Sequence, residues 1–272
     1  MDRSTLLFHL GESVPEDLIS PVIELAQMHG WHLSGLASAG NVSPSYVLDT
    51  ALGGGRSPAR LALDLVRSAT DRAAHFDERC RVAGHTDVDV QVVEDDSFSA
   101  LARHSQACDL VVMRQGQTPE ERRLVEDVGL RCGRPLLVVP HRPAVPMPGG
   151  TIVIAWDASA ACARAMVDAL PFLKRAACVR LIACQTAVDA AIVPGDLDAI
   201  GRWLQRHGVQ VTPTIQPSMI DVGNMLLSRA ADWGADLMVM GAYGHRRWAE
   251  RIIGGTTLTV LNTMTVPLLL SH

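Results

Sequence analysis

Read by its hydrophobic positions, the chain is a series of short apolar runs separated by longer polar or amphipathic stretches. Runs at 5–10, 33–38, 88–93, 109–113 and 136–140 are followed, beyond a break, by runs at 151–156, 179–184, 209–213, 236–240 and 266–270. Several of them, such as LVVM, LLVV, IVIA and LMVM, lack the alternation of a half-exposed strand. Such runs suit strands buried on both faces, which arise when helices flank a parallel sheet. The stretches between them carry helical spacing: in DVGNMLLSRAADW, 221–233, Val222, Met225, Leu226 and Ala230 fall on one stripe. Strand and helix therefore alternate, and alternation with right-handed crossovers predicts an open, doubly wound sheet.

The pattern also repeats. ACDLVVMRQG at 107–116 is echoed by GADLMVMGAYG at 234–244, GRPLLVVPH at 133–141 by TVPLLLSH at the chain end, and TLLFHLGES at 5–13 by TIVIAWDAS at 151–159. Three echoes in one order mark a duplication. Between the copies, HRPAVPMPGG at 141–150 carries three prolines and two glycines and can continue neither strand nor helix. The expected architecture is two tandem, open, five-stranded parallel α/β domains of Rossmann-like type, at 1–142 and 149–272. The final strands, PLLVVP and PLLLSH, would be exposed edges in isolated domains. They are expected to meet across a pseudo-two-fold axis, which would make the chain an intramolecular pseudo-dimer.

Composition narrows the class. Of 272 residues, 48% are hydrophobic and 19% charged, too apolar for a disordered chain. A net charge of -5 supplies no field to gather nucleic acid or an anionic membrane surface, so neither is expected as a partner. No apolar run approaches the roughly 18 residues of a membrane helix, and MDRSTLLFHLGES has no basic region followed by an apolar stretch and a cleavage site. Six cysteines (Cys80, Cys108, Cys132, Cys162, Cys178, Cys184) form no CxxC pair and suit a reducing compartment. The expectation is a soluble, cytoplasmic protein.

Candidate chemistry concentrates in the second copy. In an open parallel sheet, ligands bind beyond the carboxyl ends of the strands, where strand order reverses. Two loops reach that crevice: Asp157, Ala158 and Ser159 after the strand 151–156, and GAYGHRRWAERIIGGTT, 241–257, after 236–240. A carboxylate at Asp157 can accept from an adenine amino group or a ribose hydroxyl. Gly241 and Gly244 let backbone amides approach an anion closely. Gly254 and Gly255, then Thr256 and Thr257, open the next helix, whose N-terminus offers unpaired amides and partial positive charge.

This spacing, G-x2-G-x9-G followed by a small or hydroxyl residue, resembles the ATP-binding signature of the universal stress protein family. AWDAS, ADLMVMGAYGH and VPLLL are similar to the same family in its tandem two-domain form. The resemblance implies an adenine nucleotide alpha hydrolase-like fold binding ATP, with or without Mg²⁺. Adenine would lie near Asp157, ribose and phosphates over Gly241, Gly244 and Gly254 to Thr256, and Met240 beside the nucleotide. Tyr243, His245 and Thr257 complete the candidate set. One position departs from the pattern: a Ser or Thr commonly follows the third glycine, whereas here Gly255 stands there and the hydroxyl comes one residue later. Binding weakened but not abolished is expected.

The first copy departs further. Gly11 stands where Asp157 aligns, and RQGQTPEERRLVEDVGLRCGRP after Met113 lacks the two-plus-nine glycine spacing, reading instead as a solvated helix start. This copy is expected to be a structural partner that binds no nucleotide. The run Gly53 to Gly55 reads as a flexible loop in preference to a phosphate cradle. Arg246 and Arg247 suit a lid over phosphate or a plain surface loop, His245 a phosphate contact or a structural histidine, and Asp157 a ligand contact or a helix cap. His29 and His32, and His75, Cys80 and His85, invite a zinc reading that their spacing does not favour. No GxSxG elbow is present to support covalent hydrolysis.

The leading expectation is a nucleotide-binding module for stress response or regulation. A slow ATPase stands behind it, without a nameable general base or Walker-type metal pair. A nucleotide-free scaffold or small-ligand carrier is the third reading, and a homodimer of the whole chain is left open.

Overall fold

The computed structural model of the chain describes residues 4–12, 16–41, 57–141, 149–185, 194–217, 221–242 and 255–272. Packing divides it into two compact units, Met1–Val112 and Met113–His272. The division falls inside the fourth strand and does not coincide with the sequence repeat.

In the first unit β1 (Thr5–His9), α1 (Glu16–His29), β2 (His32–Ser38), α2 (Pro58–Val82), β3 (Val88–Val93), α3 (Ser97–His104) and the start of β4 (Leu110–Arg114) alternate in sequence. The strands lie in the order β3-β2-β1-β4, every neighbouring pair parallel. Leu6, Leu7, Phe8, Leu33, Val111 and Val112 are all but fully buried, as strands covered on both faces must be. Phe76 of α2 meets Phe8 with ring centroids 5.6 Å apart. It fits because Gly35 of β2 has no side chain: a Cβ there would lie 2.7 Å from the Phe76 ring.

The second unit holds α4 (Pro119–Arg131), β5 (Leu136–Val139), β6 (Thr151–Trp156), α5 (Ala160–Asp168), α6 (Leu170–Leu173), β7 (Cys178–Gln185), α7 (Pro194–Arg206), β8 (Val211–Pro217), α8 (Val222–Asp232), β9 (Leu237–Gly241), α9 (Gly255–Thr263) and β10 (Leu268–Ser271). Its strand order is β5-β10-β9-β6-β7-β8. All pairs from β10 to β8 are parallel. The exception is β5 with β10, which run antiparallel with Leu136 opposite Leu270, Leu137 opposite Leu269 and Val138 opposite Leu268. The two final strands therefore meet as the repeat led us to expect, and their pairing buries both apolar edges.

The strands fall where the apolar runs placed them, with one informative shift. β8 extends to Pro217, past the expected end at 213. Pro213 and Pro217 lack ladder donors, which reads as a strand stop, but β8 is the last strand of this unit's order and prolines are tolerated on an edge.

Candidate functional site

The candidate site is built from the ends of two adjacent strands. β6 and β9 pair in parallel with Ala155 opposite Met240, so the turn after Trp156 and the turn after Gly241 leave the same edge of the sheet. Asp157 Oδ1 accepts from the Ser159 backbone N–H at 2.9 Å, closing a tight turn. Ala158 within it has φ +61°, the one positive-φ residue other than glycine among the described residues. Ser159 then caps α5, its Oγ accepting from the Cys162 N–H at 3.0 Å. Of the two roles open to Asp157 the helix cap is thus filled by Ser159. Asp157 shapes the turn with one oxygen, and Oδ2 makes no hydrogen bond among the described residues.

Gly241 has a packing role of its own. A Cβ at this position would overlap the Cys162 amide nitrogen and come within 2.8 Å of the Ala161 carbonyl carbon. The bare backbone lets the end of β9 lie directly against the first turn of α5. The Cys162 thiol beneath donates to the Ala155 carbonyl at 3.0 Å. Burial, with the charge of Asp157 adding to it, pushes this thiol up to about 12, so it stays protonated and inert. Met240 is 6% exposed and sits in the core between Ala155 and Leu270. Ala242 continues the strand, its N–H donating to the Ser271 carbonyl at 2.7 Å. The Ala242 carbonyl accepts from His272 Nδ1 at 3.2 Å.

Beyond a segment outside the described residues, α9 begins at Gly255. Gly255 is exposed, Thr256 half-buried, and Thr257 only 3% exposed with a partner inside the protein. The first amides of α9 have no carbonyl one turn earlier in their own helix. Their position is set by close packing on α8: a Cβ on Gly223 would lie 2.8 Å from Thr259 Cβ. Tyr243, Gly244, His245, Arg246, Arg247 and Gly254 lie outside the described residues. The roles of two side chains went unnoticed in the sequence. Trp156 closes β6 with its indole Nε1 buried and without a hydrogen-bond partner among the described residues. Ser159 is the cap that freed Asp157. An unpaired buried donor and an available carboxylate oxygen at the end of β6 suit a ligand rich in acceptors and hydroxyls.

The corresponding places in the first copy are filled by protein. Arg72 of α2 donates from Nε to the Leu10 carbonyl at 3.2 Å and from NH2 to the Ser38 carbonyl at 2.8 Å, covering the ends of β1 and β2. Its NH1 donates to Ser68 Oγ at 2.9 Å. After β4, Thr118 and Glu121 form a capping box on α4, and the Glu121 carboxylate also accepts from the Gln117 N–H. Gly116 lies so close to α4 that a Cβ would be 2.5 Å from the Glu121 carbonyl carbon. The expected solvated helix start is a tightly capped one.

Of the suggested metal clusters, His29 stacks on Trp31 at 4.4 Å and His32 lies between Asp87 and Asp89. Among the described residues no group of three His, Cys, Asp or Glu is arranged to hold a metal ion, and none of their helices is long and apolar enough to cross a membrane.

These features define a class: mostly parallel α/β sheets with a candidate ligand edge at the carboxyl ends of β6 and β9. Residues 150–272, the second copy, match the Universal stress protein family. The crystal structure of a universal stress protein from Archaeoglobus fulgidus DSM 4304 aligns with a TM-score of 0.76 at 15% identity, covering 98% of this chain and 96% of that one. A functionally unknown protein from Pseudomonas aeruginosa PAO1 aligns with a TM-score of 0.61 at 18% identity, covering 99% of this chain and 92% of that one. At these identities the likeness is one of fold. No curated protein matches the sequence.

Proposed function

We propose that the second copy binds one adenine nucleotide per chain, with ATP the expected ligand, and that the chain works as a nucleotide-responsive regulatory module. The observation that supports this is the parallel pairing of β6 with β9, which carries the Asp157 turn and the chain leading to α9 from neighbouring strand ends. The match of residues 150–272 to the Universal stress protein family supports it. Asp157 Oδ2 would accept from the adenine amino group or a ribose hydroxyl, and the amides at Gly255 and Thr256 would donate to phosphate oxygens. Bound nucleotide supplies the negative charge that the end of α9 favours. The domain division at 1–142 and 149–272, with only the second domain taking nucleotide, is part of the same proposal.

Gly255 allows a test in both directions, because a Cβ there meets open space. Calorimetric titration with ATP and Mg²⁺ should show Asp157→Ala weakening binding about tenfold, the equivalent of about 1.4 kcal/mol. Gly255→Asp should weaken binding at least as much through like charge, while the added carboxylate leaves the fold as stable or more so. Gly255→Ser should tighten binding by restoring a hydroxyl. Four identical isotherms would overturn the site.

A further inference from the structure

The N-terminal end of α9 is set by how the whole helix is held, and one of its supports comes from the first sequence copy. Gln115 follows β4 and engages its backbone N–H and both ends of its side-chain amide. Its backbone N–H donates to the Val139 carbonyl at 2.8 Å, its Oε1 accepts from the His141 N–H at 3.1 Å, and its Nε2 donates to the Leu261 carbonyl at 2.7 Å. The last of these bonds reaches a carbonyl in the final turn of α9, where the helix leaves its own acceptors unpaired. Gln115 itself is fixed on both sides: the backbone bonds pin it to the end of β5, and Gly116 behind it is packed against the capped start of α4. A rigid strut thus runs from the capped α4 region, through Gln115, to the C-terminal turn of α9.

We infer that Gln115 is a positioning residue for the second copy's nucleotide site, a deduction that rests on the nucleotide reading above. Leu261 lies about 9 Å along the axis from Gly255, at ~1.5 Å per residue. A helix this short moves as one body, so a support lost at one end tilts the amides at the other. The coupling has a direction. Ala242 aligns with Gln115 in the repeat and makes the matching backbone bond, to the Ser271 carbonyl at 2.7 Å. Its methyl group carries no donor, so it sends no corresponding arm to α4. The copy that has lost its own glycine signature supports the site of the copy that keeps it, and Ala242 returns no such bond.

Two variants separate the arms of the amide. Gln115→Glu keeps the acceptor for the His141 N–H but replaces the donor to Leu261 with a carboxylate facing helix carbonyls. Gln115→Leu removes both arms while preserving bulk. Hydrogen exchange over 259–263 should speed up in both variants, and ATP should bind about five-fold more weakly, with exchange over β6 and β9 unchanged. Unchanged exchange over α9 in Gln115→Glu overturns the strut, whether or not nucleotide binds. Faster exchange with wild-type affinity overturns the coupling. A wild-type chain that binds no ATP overturns the nucleotide reading and the positioning role together, and faster exchange would then leave only a structural clamp.

Discussion

The carboxyl strand ends of the two sequence copies began from one pattern and now hold different things. After β1 and β2 an arginine from α2 occupies the backbone acceptors, and after β4 a capping box and Gln115 consume the loop. After β6, Asp157 Oδ2 and the buried indole N–H of Trp156 make no hydrogen bond among the described residues. Closing a crevice takes few residues, because a single guanidinium with five donors can satisfy several carbonyls.

The sharpest way to break this contrast is at a glycine in each copy, at non-equivalent positions of the repeat, where the end of a strand meets a helix. Gly116 lies against α4 and Gly241 against α5, both within van der Waals overlap of any added Cβ. Because the atoms met are backbone, no rotamer change relieves them. Gly116→Ala and Gly241→Ala are each expected to lower unfolding free energy by about 3 kcal/mol in urea titrations. If Gly241→Ala keeps full stability and loses only ATP, Gly241 is a ligand glycine and its packing role is refuted.

A smaller loss is expected at Arg72. Arg72→Met keeps much of the apolar stem but strands the carbonyls of Leu10 and Ser38, which should cost about 2 kcal/mol. Burial lowers the readiness of this guanidinium to carry charge, with the charge of Glu12 opposing. Arg72→Lys, with a point charge in place of a planar fork, should recover under half of the loss. Guanidinium-induced unfolding of the three proteins checks the order. Equal stability of all three would mean that the crevice of the first copy is open to solvent, and the contrast would fail.

How much of this was legible in sequence depends on the range of the interactions. Buried strands announce themselves in runs such as LMVM and LLVV because burial on both faces is a local property of composition. The pairing of β5 with β10 was also readable, since two bare apolar edges call for a partner. The site was half legible. Asp157 does follow β6 beside the end of β9, but the cap beside it fell to Ser159 across a turn with positive φ at Ala158. Gly241 was read for its backbone freedom, and its contact with Cys162 emerges only when α5 is in place. Arg72 with Leu10 and Gln115 with Leu261 were invisible, because partners 62 and 146 positions apart leave no periodic trace.

The smallest expected effect concerns a feature that the second copy lacks. His32 opens β2, with Nδ1 2.9 Å from Asp87 Oδ1 and Nε2 2.6 Å from Asp89 Oδ1. Cys178 opens β7 in the matching place. Two carboxylate acceptors require both ring nitrogens to donate, so the imidazole is charged. Burial pulls its pKa down, yet the hydrogen bonds and charges of Asp87 and Asp89 outweigh this and raise it above 6.5. Asp89 is likewise opposed by burial but held below its ordinary value by Gln91, His32 and Ser34. A raised histidine contributes stability that is fully present below its unfolded value and lost as pH rises through the folded one. A depressed aspartate contributes stability present above its unfolded value and lost as pH falls through the folded one. The cluster is therefore strongest between about pH 4 and pH 6.5. With side chains 30 to 41% exposed, it should contribute less than about 1 kcal/mol. Urea unfolding of wild type and His32→Gln across pH 5 to 9 should show a gap widest near pH 5.5 that narrows on the alkaline side. Hydrogen exchange should place the alkaline loosening in β2 and β3 and leave β7 and β8 unaffected. A gap that widens with pH would mean that the ring is neutral and that one of the two bonds is not made.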